Sequence, residues 1–201
     1  MIQAIFFDMD GVLLESFDAW FELMNATAKR LGYPPIAREA FRRVFGASTE
    51  NDVENFYPNE TVEKVEADYA AHFHEHTSLV GANPDAKAVI EALDARGVPT
   101  AVITNTPSVI ARSLLESADI LPNALVGGDN VSRPKPAPDI IFRACEVLEV
   151  EPWDALVVGD SLYDKQAAAE AGSPFAGFGG VEGNFTISGL WQVMDIVEGR
   201  G

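Results

Sequence analysis

The feature that most constrains the fold is a change of pattern at about residue 80. Beyond it, short β-prone apolar runs alternate with helical stretches whose apolar residues lie on one face. The predicted strands of this part are residues 98–104, 124–126, 155–159 and 175–178, and the predicted helices are residues 84–96, 107–118, 138–148 and 165–171. Strands that alternate with helices in this way indicate a parallel sheet covered by helices.

A further strand and a helical block precede this pattern. Residues 2–7 form an apolar run that stops at Asp8, which is typical of a buried strand ending in a turn. Residues from about 15 to 80 then carry apolar side chains at helical spacing and no clear strand. The sequence therefore predicts an α/β fold in which residues 1–14 and 81–201 form a Rossmann-like parallel-sheet core and residues 15–80 form an inserted small α-helical cap domain.

Composition excludes several classes of partner. The 201 residues include 14 Lys and Arg against 31 Asp and Glu, a formal charge of −17 that repels nucleic acid and anionic membranes. No apolar run approaches the roughly 20 residues that a membrane span needs. One cysteine, Cys145, leaves no internal disulfide, and the N-terminal residues lack the pattern of a secretory signal. We expect a cytoplasmic protein that binds neither nucleic acid nor membrane, and its oligomeric state stays open.

Polar side chains follow three of the predicted strands at the points where they end. They are Asp8 with Asp10, Thr104 with Asn105, and Asp160 with Asp164. Ligands of open parallel sheets bind beyond the carboxyl ends of the strands, so we expect these side chains to share one crevice. Lys135 lies in a proline-rich loop, residues 133–138, before a predicted helix, and the prolines restrict that loop to extended conformations.

The chemistry of these groups points to phosphoryl transfer. Asp8, Asp10 and Asp160 offer hard oxygen ligands that suit Mg²⁺. An ionised carboxylate can attack phosphorus and form an aspartyl-phosphate. A second carboxylate two residues on can protonate the leaving oxygen and then deprotonate water. The candidates for holding the phosphoryl oxygens while charge builds on them are Thr104, Asn105 and Lys135.

Four segments of the chain resemble, in order, the four motifs of the haloacid dehalogenase-like hydrolase superfamily. They are residues 8–12 (DMDGV), residues 103–105 (ITN), Lys135 within RPKPAP, and residues 159–164 (GDSLYD). The helical insertion after the first motif is similar to the small cap of the phosphoglycolate phosphatase and β-phosphoglucomutase branch. Each motif alone is weakly specific, whereas all four in order are strongly specific.

The resemblance implies a role for each motif residue. Asp8 is implied as the nucleophile, Asp10 as the general acid and base, and Thr104 and Lys135 as phosphate binders. The implied Mg²⁺ ligands are Asp8, the main-chain carbonyl of Asp10, and Asp160, with Asp164 as a further ligand or the neighbour of one. The implied activity is that of a Mg²⁺-dependent phosphatase, which hydrolyses a small phosphorylated metabolite through an aspartyl-phosphate. Phosphoglycolate and sugar phosphates are the leading substrate types.

Two other functions stay open at this point. One is a phosphosugar mutase, since the resemblance includes a mutase branch. The other is a catalytically silent protein that binds a phosphometabolite, which the complete set of catalytic groups disfavours.

The cap carries candidate specificity residues. Gly46, Ser48 and Thr49 lie in a segment that resembles the specificity loop of the branch, and a plain helix-ending loop explains it equally well. Arg43 is a candidate to reach a substrate anion, although a solvated helix face is the simpler interpretation.

The only three histidines of the chain are clustered at positions 72, 74 and 76. His72 and His76 are four residues apart, as two ligands on one helix face would be. No third partner with a metal-site pattern accompanies them, so we favour surface histidines.

Overall fold

The computed structural model describes residues 2–199, and within them the chain forms eight strands. They are β1 (Ala4–Phe7), β2 (Leu14–Glu15), β3 (Gly81–Ala82), β4 (Thr100–Ile103), β5 (Ala124–Val126), β6 (Ala155–Gly159), β7 (Phe175–Phe178) and β8 (Phe185–Ile187). Six of these strands form one parallel sheet in the order β5-β4-β1-β6-β7-β8, whereas β2 and β3 form a separate antiparallel pair.

Helices lie between the strands. Those between β2 and β3 are α1 (Phe17–Leu31), α2 (Arg38–Val44), α3 (Thr49–Phe56) and α4 (Val62–His72), followed by a 3₁₀ segment, Phe73–Leu79. Those that follow β3 are α5 (Ala86–Asp94), α6 (Ser108–Ser117), α7 (Asp139–Leu148), α8 (Leu162–Ala171) and α9 (Gln192–Val197). None of the helices within residues 2–199 combines the length and apolarity needed to cross a bilayer. The α/β fold with a helical insertion, as predicted, is confirmed.

Strand β1 lies inside the sheet and organises the core. Its four residues are fully buried, because it pairs with β4 on one side and β6 on the other and helices cover both faces. Ile5 lies opposite Thr100 on β4 and opposite Leu156 on β6. The carboxyl ends of these three strands are therefore adjacent, in the middle of one edge of the sheet.

The helical insertion leaves and re-enters the core through the β2–β3 pair. Leu14 lies opposite Ala82, and Glu15 lies opposite Gly81. These positions coincide with the predicted limits of the insertion at residues 15 and 80. The division into a core domain of residues 1–14 and 81–201 and a cap domain of residues 15–80 stays a prediction.

Five strands and helices of the structure are missing from the predicted pattern, and one helix begins earlier than predicted. The additional elements are the short strands β2 and β3, helix α3, strand β8 and helix α9. Helix α8 begins at Leu162 rather than at Lys165, because Ser161 caps its first turn. Strand β8 follows a tight glycine-rich turn that packs against β7, where a Cβ on Gly177 would lie only 1.7 Å from the carbonyl oxygen of Val181. Only glycine fits at that position. The many glycines of this segment hid strand β8 in the sequence pattern.

Candidate active site

The predicted site residues meet where the three central strands end. Asp8 follows β1, Thr104 follows β4 and Asp160 follows β6. Lys135 reaches the same place from the loop before α7, and its ammonium group donates to the carbonyl of Ile103 at the end of β4, 3.0 Å away. Parallel pairing therefore assembles residues that lie far apart in the sequence.

A buried ion cluster forms the floor of the site. The Lys135 ammonium lies 2.7 Å from Asp8 Oδ1 and 2.6 Å from Asp164 Oδ1, and all three side chains are buried. Burial, and then the charge of Asp164, raises the pKa of Asp8 well above its usual value despite Lys135. Burial alone would lower the pKa of Lys135, but the two carboxylates outweigh it and hold the lysine protonated. One cation is thus shared by two buried carboxylates.

A third carboxylate completes a group that suits a metal ion. Carboxylate oxygens of Asp8, Asp160 and Asp164 all lie within 4.8 Å of one another. Burial, and then Asp164, raises the pKa of Asp160 to about 7, which reflects negative charge that Lys135 does not fully offset. Gly11 makes room for this group, since a Cβ there would lie 2.1 Å from Asp160 Oδ2. Three carboxylates with one shared cation fit a hard divalent ion such as Mg²⁺.

The start of α8 explains how Asp164 reaches the floor. Ser161 is the N-cap, and its hydroxyl donates to Asp164 Oδ2 at 2.5 Å while accepting from the Asp164 amide at 3.2 Å. The other carboxylate oxygen is left to bind Lys135. A helix cap and a charge contact therefore use the two oxygens of one side chain.

The Asp10 carboxylate is held by hydroxyl and indole donors. Thr104 and Thr106 donate to its Oδ2 at 3.1 Å and 2.8 Å. Ser16 donates to Oδ1, and the indole N–H of Trp20 does so at 3.2 Å. The carboxylate thus has partners from both the core and the first helix of the insertion. Its predicted role as metal ligand concerns the main-chain carbonyl, and that role stays a prediction.

The side chain of Asn105 binds protein backbone rather than facing the crevice with free donors. Its Oδ1 accepts from the Lys135 amide at 2.8 Å, and its Nδ2 donates to the Lys135 carbonyl at 2.9 Å. The same Nδ2 donates to the carbonyl of Gly46 in the insertion at 3.0 Å. Asn105 therefore positions Lys135 and ties the loop at Gly46 to the core, and its predicted contact with phosphate stays a prediction.

A small cavity of about 40 Å³, counted as the space open to the centre of a water molecule, lies between the core and the helical insertion. Its core wall includes Asp8, Asp10 and Thr104. The insertion contributes mainly apolar side chains, together with the polar groups of Thr49, Asp52 and Tyr69. These residues are Trp20, Met24, Phe41, Val44, Phe45, Gly46, Ala47, Thr49, Asp52 and Tyr69.

The candidate specificity residues of the cap differ in position. Gly46 and Thr49 line the cavity. Ser48 caps α3 and faces a neighbouring groove that also contains Lys135. Arg43 points to solvent with a side chain 75% exposed, and its guanidinium lies 3.8 Å from Glu39. Sequence spacing could not separate these four positions, because it does not report which way the loop faces.

The histidines lie outside the site. His72 Nδ1 lies 2.9 Å from the carbonyl oxygen of Asp68, and His74 is exposed. Among residues 2–199, the metal-compatible group of side chains is the one at Asp8, Asp160 and Asp164.

Sequence reasoning missed Asp52, which is the carboxyl group that the insertion presents to the cavity. The Tyr69 hydroxyl donates to Asp52 Oδ2 at 3.2 Å, and both residues are buried. Burial raises the pKa of Asp52 to about 8, although the hydrogen bond from Tyr69 lowers it. The sequence carries only a weak signal for a functional role of Asp52. An acidic residue in the first turn of a helix is ordinarily explained by its favourable interaction with the helix dipole.

We expect the effect of Asp52 on stability to depend on pH. Its carboxyl has a pKa of 3.8 without burial and about 8 in the folded protein. The folded state therefore binds more protons between these values, and the free energy of unfolding falls as pH rises through that window. Asp52→Asn removes this titration. The melting temperature of the variant minus that of wild type should rise by several degrees from pH 5 to pH 9. A difference that stays constant across this range would contradict the raised pKa.

Comparison with known proteins agrees with this geometry. The model of the haloacid dehalogenase-like hydrolase family matches residues 5–178. A phosphoglycolate phosphatase from Nitrosospira multiformis is 31% identical over 183 residues, which cover 86% of this chain and 81% of that protein. An N-acetylmuramic acid 6-phosphate phosphatase from Pseudomonas aeruginosa is 26% identical over 182 residues, covering 87% of this chain and 80% of that protein.

The solved structures give the same result. A HAD-superfamily hydrolase of subfamily IA, variant 1, from Geobacter sulfurreducens superposes with a TM-score of 0.79 at 25% identity, covering 98% of this chain and 100% of that chain. The resemblance drawn from the four motifs is thereby confirmed, and the chain belongs to the haloacid dehalogenase-like hydrolase family.

Proposed function

We propose that this chain is a Mg²⁺-dependent phosphatase that hydrolyses a small phosphorylated metabolite, a phosphoglycolate or a sugar phosphate, through an aspartyl-phosphate on Asp8. The observation that carries the proposal is the buried cluster at the end of the central strands. There a carboxylate that opens into a cavity shares the ammonium group of Lys135 with Asp164, while Asp160 lies beside them.

The nucleophile and the proton carrier are separate groups in this site. A carboxylate oxygen of Asp8 forms a bond to phosphorus, and the bond from phosphorus to the leaving oxygen breaks. Asp10 gives its proton to that leaving oxygen. It then takes a proton from the water that cleaves the aspartyl-phosphate, so that Asp8 is regenerated and inorganic phosphate is released. The hydrogen bonds from Thr104, Thr106 and Trp20 hold the Asp10 carboxyl in place for both transfers.

Charge compensation comes from the floor of the site. Lys135, held at both its amide and its carbonyl by Asn105, presents a fixed positive charge beside Asp8 to the phosphoryl oxygens. Mg²⁺ held by Asp8, the main-chain carbonyl of Asp10 and Asp160, with Asp164 as a further ligand or the neighbour of one, would offset the remaining negative charge of the carboxylates and of the phosphoryl group. Its charge would keep Asp8 ionised, although burial alone favours the protonated form.

The named relatives support the substrate class. They include a phosphatase named for phosphoglycolate and another named for a sugar phosphate. A reducing cytoplasm is the proposed location, in line with a single cysteine, Cys145, that is buried and free.

We expect phosphate release from at least one compound in a screen of about 50–100 phosphometabolites, and only with Mg²⁺ or a close substitute such as Mn²⁺. Ca²⁺ should inhibit, because its larger and looser coordination shell suits in-line transfer poorly. The measurement is inorganic phosphate with added metal, after exhaustive chelation, and after readdition of Mg²⁺. Full activity in the chelated sample would contradict the Mg²⁺ mechanism. A screen without turnover of any compound would favour a catalytically silent protein that binds a phosphometabolite.

The same preparation separates a phosphatase from a mutase. It is incubated with β-glucose 1-phosphate, Mg²⁺ and a trace of the bisphosphate, and glucose 6-phosphate and free phosphate are followed together. We expect free phosphate alone. The mutase branch typically carries a histidine where Trp20 stands, and here an indole N–H bound to Asp10 cannot act as a cationic phosphate clamp. Glucose 6-phosphate accumulating faster than phosphate would overturn the phosphatase assignment.

A further inference from the structure

The cavity offers a leaving group apolar walls and no positive charge. Trp20, Phe41, Phe45 and Tyr69 supply aromatic surface, and Met24 adds a flexible apolar side chain. Among the described residues that line this cavity, none is lysine, arginine or histidine. Lys135 lies at the floor, where its ammonium group already contacts Asp8, Asp164 and a backbone carbonyl.

Asp52 is the carboxyl group that the insertion presents to this cavity, where it can bind a polar substituent. Thr49 and the Tyr69 phenol are the other polar groups of the insertion that line the cavity. Asp52 lies in the first turn of α3, and Tyr69 donates to one of its two carboxylate oxygens. Burial raises the pKa of Tyr69 well above its usual value, so the phenol keeps the proton that it donates. The second oxygen of Asp52 has lone pairs for a further hydrogen bond whether the group is ionised or protonated.

The position of Asp52 relative to the reacting groups is set by a chain of contacts. The Tyr69 ring packs edge-on against Trp20 with ring centroids 5.5 Å apart. The indole N–H of Trp20 in turn donates to Asp10. Tyr69 is fully buried and Trp20 nearly so, so their side chains have little freedom to move. Asp52 is therefore held at a defined distance from the carboxyl that protonates the leaving oxygen.

We propose that Asp52 is a specificity residue that binds a hydroxyl group of the leaving group, and this proposal rests on the phosphatase function proposed above. The enzyme then prefers phosphate monoesters of uncharged alcohols or sugars to monoesters whose leaving group carries a second anion. The carbon skeleton of an uncharged leaving group packs on the aromatic walls. Its hydroxyl donates to Asp52 when that carboxyl is ionised and accepts from it when it is protonated.

A second negative charge on the leaving group has no partner here. An anion loses its hydration on entering an apolar cavity, and it recovers that loss only beside a cation. The pKa of Asp52, raised by burial to about 8, reports the same opposition to negative charge at this place. Arg42 is the nearby cation of the insertion, but it lines a neighbouring groove rather than this cavity. That groove shares Phe45 with the cavity and also includes Asp160. Phosphoglycolate, whose leaving group carries a carboxylate, is thus expected to be the poorer of the two substrate types proposed above.

The test uses two substrates that differ in a single group. 2-Hydroxyethyl phosphate and 2-phosphoglycolate have the same length, and a hydroxymethyl group in the first replaces the carboxylate of the second. We expect kcat/KM with Mg²⁺ to favour 2-hydroxyethyl phosphate at least ten-fold in the wild-type enzyme. The ratio of the two kcat/KM values is the readout, because a loss of folded protein lowers both values equally and cancels.

The variant Asp52→Leu should lower that ratio about ten-fold, since the hydroxyl loses its partner. Asp52→Asn, which keeps the shape and the hydrogen-bonding capacity, should also lower the ratio by admitting phosphoglycolate. It serves as the second variant if leucine prevents folding. The matched control is Glu54→Gln on the same helix, an exposed residue outside the cavity whose ratio should equal that of wild type.

The outcomes separate the two proposals. Hydrolysis of p-nitrophenyl phosphate without any preference for 2-hydroxyethyl phosphate, or a ratio unchanged in both Asp52 variants, would overturn the role of Asp52 while the phosphatase function stands. A loss of phosphoglycolate turnover in Arg42→Gln, with no effect of Asp52→Leu, would move the specificity site to the other groove. The absence of turnover of every monoester, including p-nitrophenyl phosphate, would reject the phosphatase function itself.

Discussion

Replacing Asp8 with asparagine should reduce phosphate release by at least about a thousand-fold while the protein stays folded. The amide keeps the shape of the side chain but is a poor nucleophile, so the covalent step fails. The pKa of Asp8 is raised by burial and by Asp164, which means that the ionised group costs the folded state free energy. Neutralising it should therefore leave the melting temperature unchanged or slightly higher.

The measurement is phosphate release at saturating substrate, together with thermal unfolding of the same preparation. Asp119→Asn is the matched control, since its carboxylate is exposed and pairs with Lys87 at the surface, where ion pairs contribute little. Asparagine also tolerates the positive φ of 56° at that position. Near-native turnover by Asp8→Asn, measured on protein free of contaminating phosphatase, would falsify the covalent mechanism.

Replacing Lys135 with methionine should produce the largest loss of stability among the site variants. Methionine preserves most of the volume but leaves Asp8 and Asp164 buried without their shared cation. Breaking a buried ion pair by removing one partner typically costs about 3–5 kcal/mol. For a chain of this size that corresponds to a fall in melting temperature of about 10 °C. Activity should be lost as well, because the fixed charge beside the nucleophile is gone.

A double variant isolates the electrostatic cause. Asp8→Asn combined with Lys135→Met removes one of the two stranded carboxylates, so it should recover part of the stability without recovering activity. Urea unfolding of wild type, both single variants and the double variant measures the coupling. Lys87→Met at the surface is the control for loss of a lysine. If Lys135→Met is as stable as wild type, the ion cluster does not hold the site together as described.

The order of the elements was predictable because it depends on local pattern. Buried parallel strands are short apolar runs, and glycine or proline ends the helices between them, so β1, β4, β5, β6 and β7 appear in the sequence. Strand β8 and helix α9 were not predicted, because they follow a glycine-rich turn and show little periodicity in their apolar residues. Helix α3 was not predicted as a separate helix, since its eight residues include a single strongly apolar pair, Val53 and Phe56.

The site, like the fold, was predictable only in part from the sequence. Asp8, Asp10, Lys135, Asp160 and Asp164 stand in four motifs whose order along the chain identifies the family, and the structure brings four of their carboxylates and the lysine to one edge of the sheet. Their individual roles stay predictions. The partners of Asp10 could not be predicted from local patterns. Ser16 and Trp20 become its neighbours only when the first helix of the insertion packs on the core, and Thr106 does so only when β4 pairs with β1.

By itself, the sequence determined the family, the parallel sheet with its helical insertion, and the candidate residues that meet at one edge of the sheet. These depend on residue type at short range and on the order of motifs. Only the tertiary structure decided what surrounds them: that Asn105 holds the backbone of Lys135, that Arg43 faces solvent, and that Asp52 enters the cavity beside Tyr69. The physical reason is that burial and charge compensation depend on contacts between distant segments, and local patterns do not specify which segments meet.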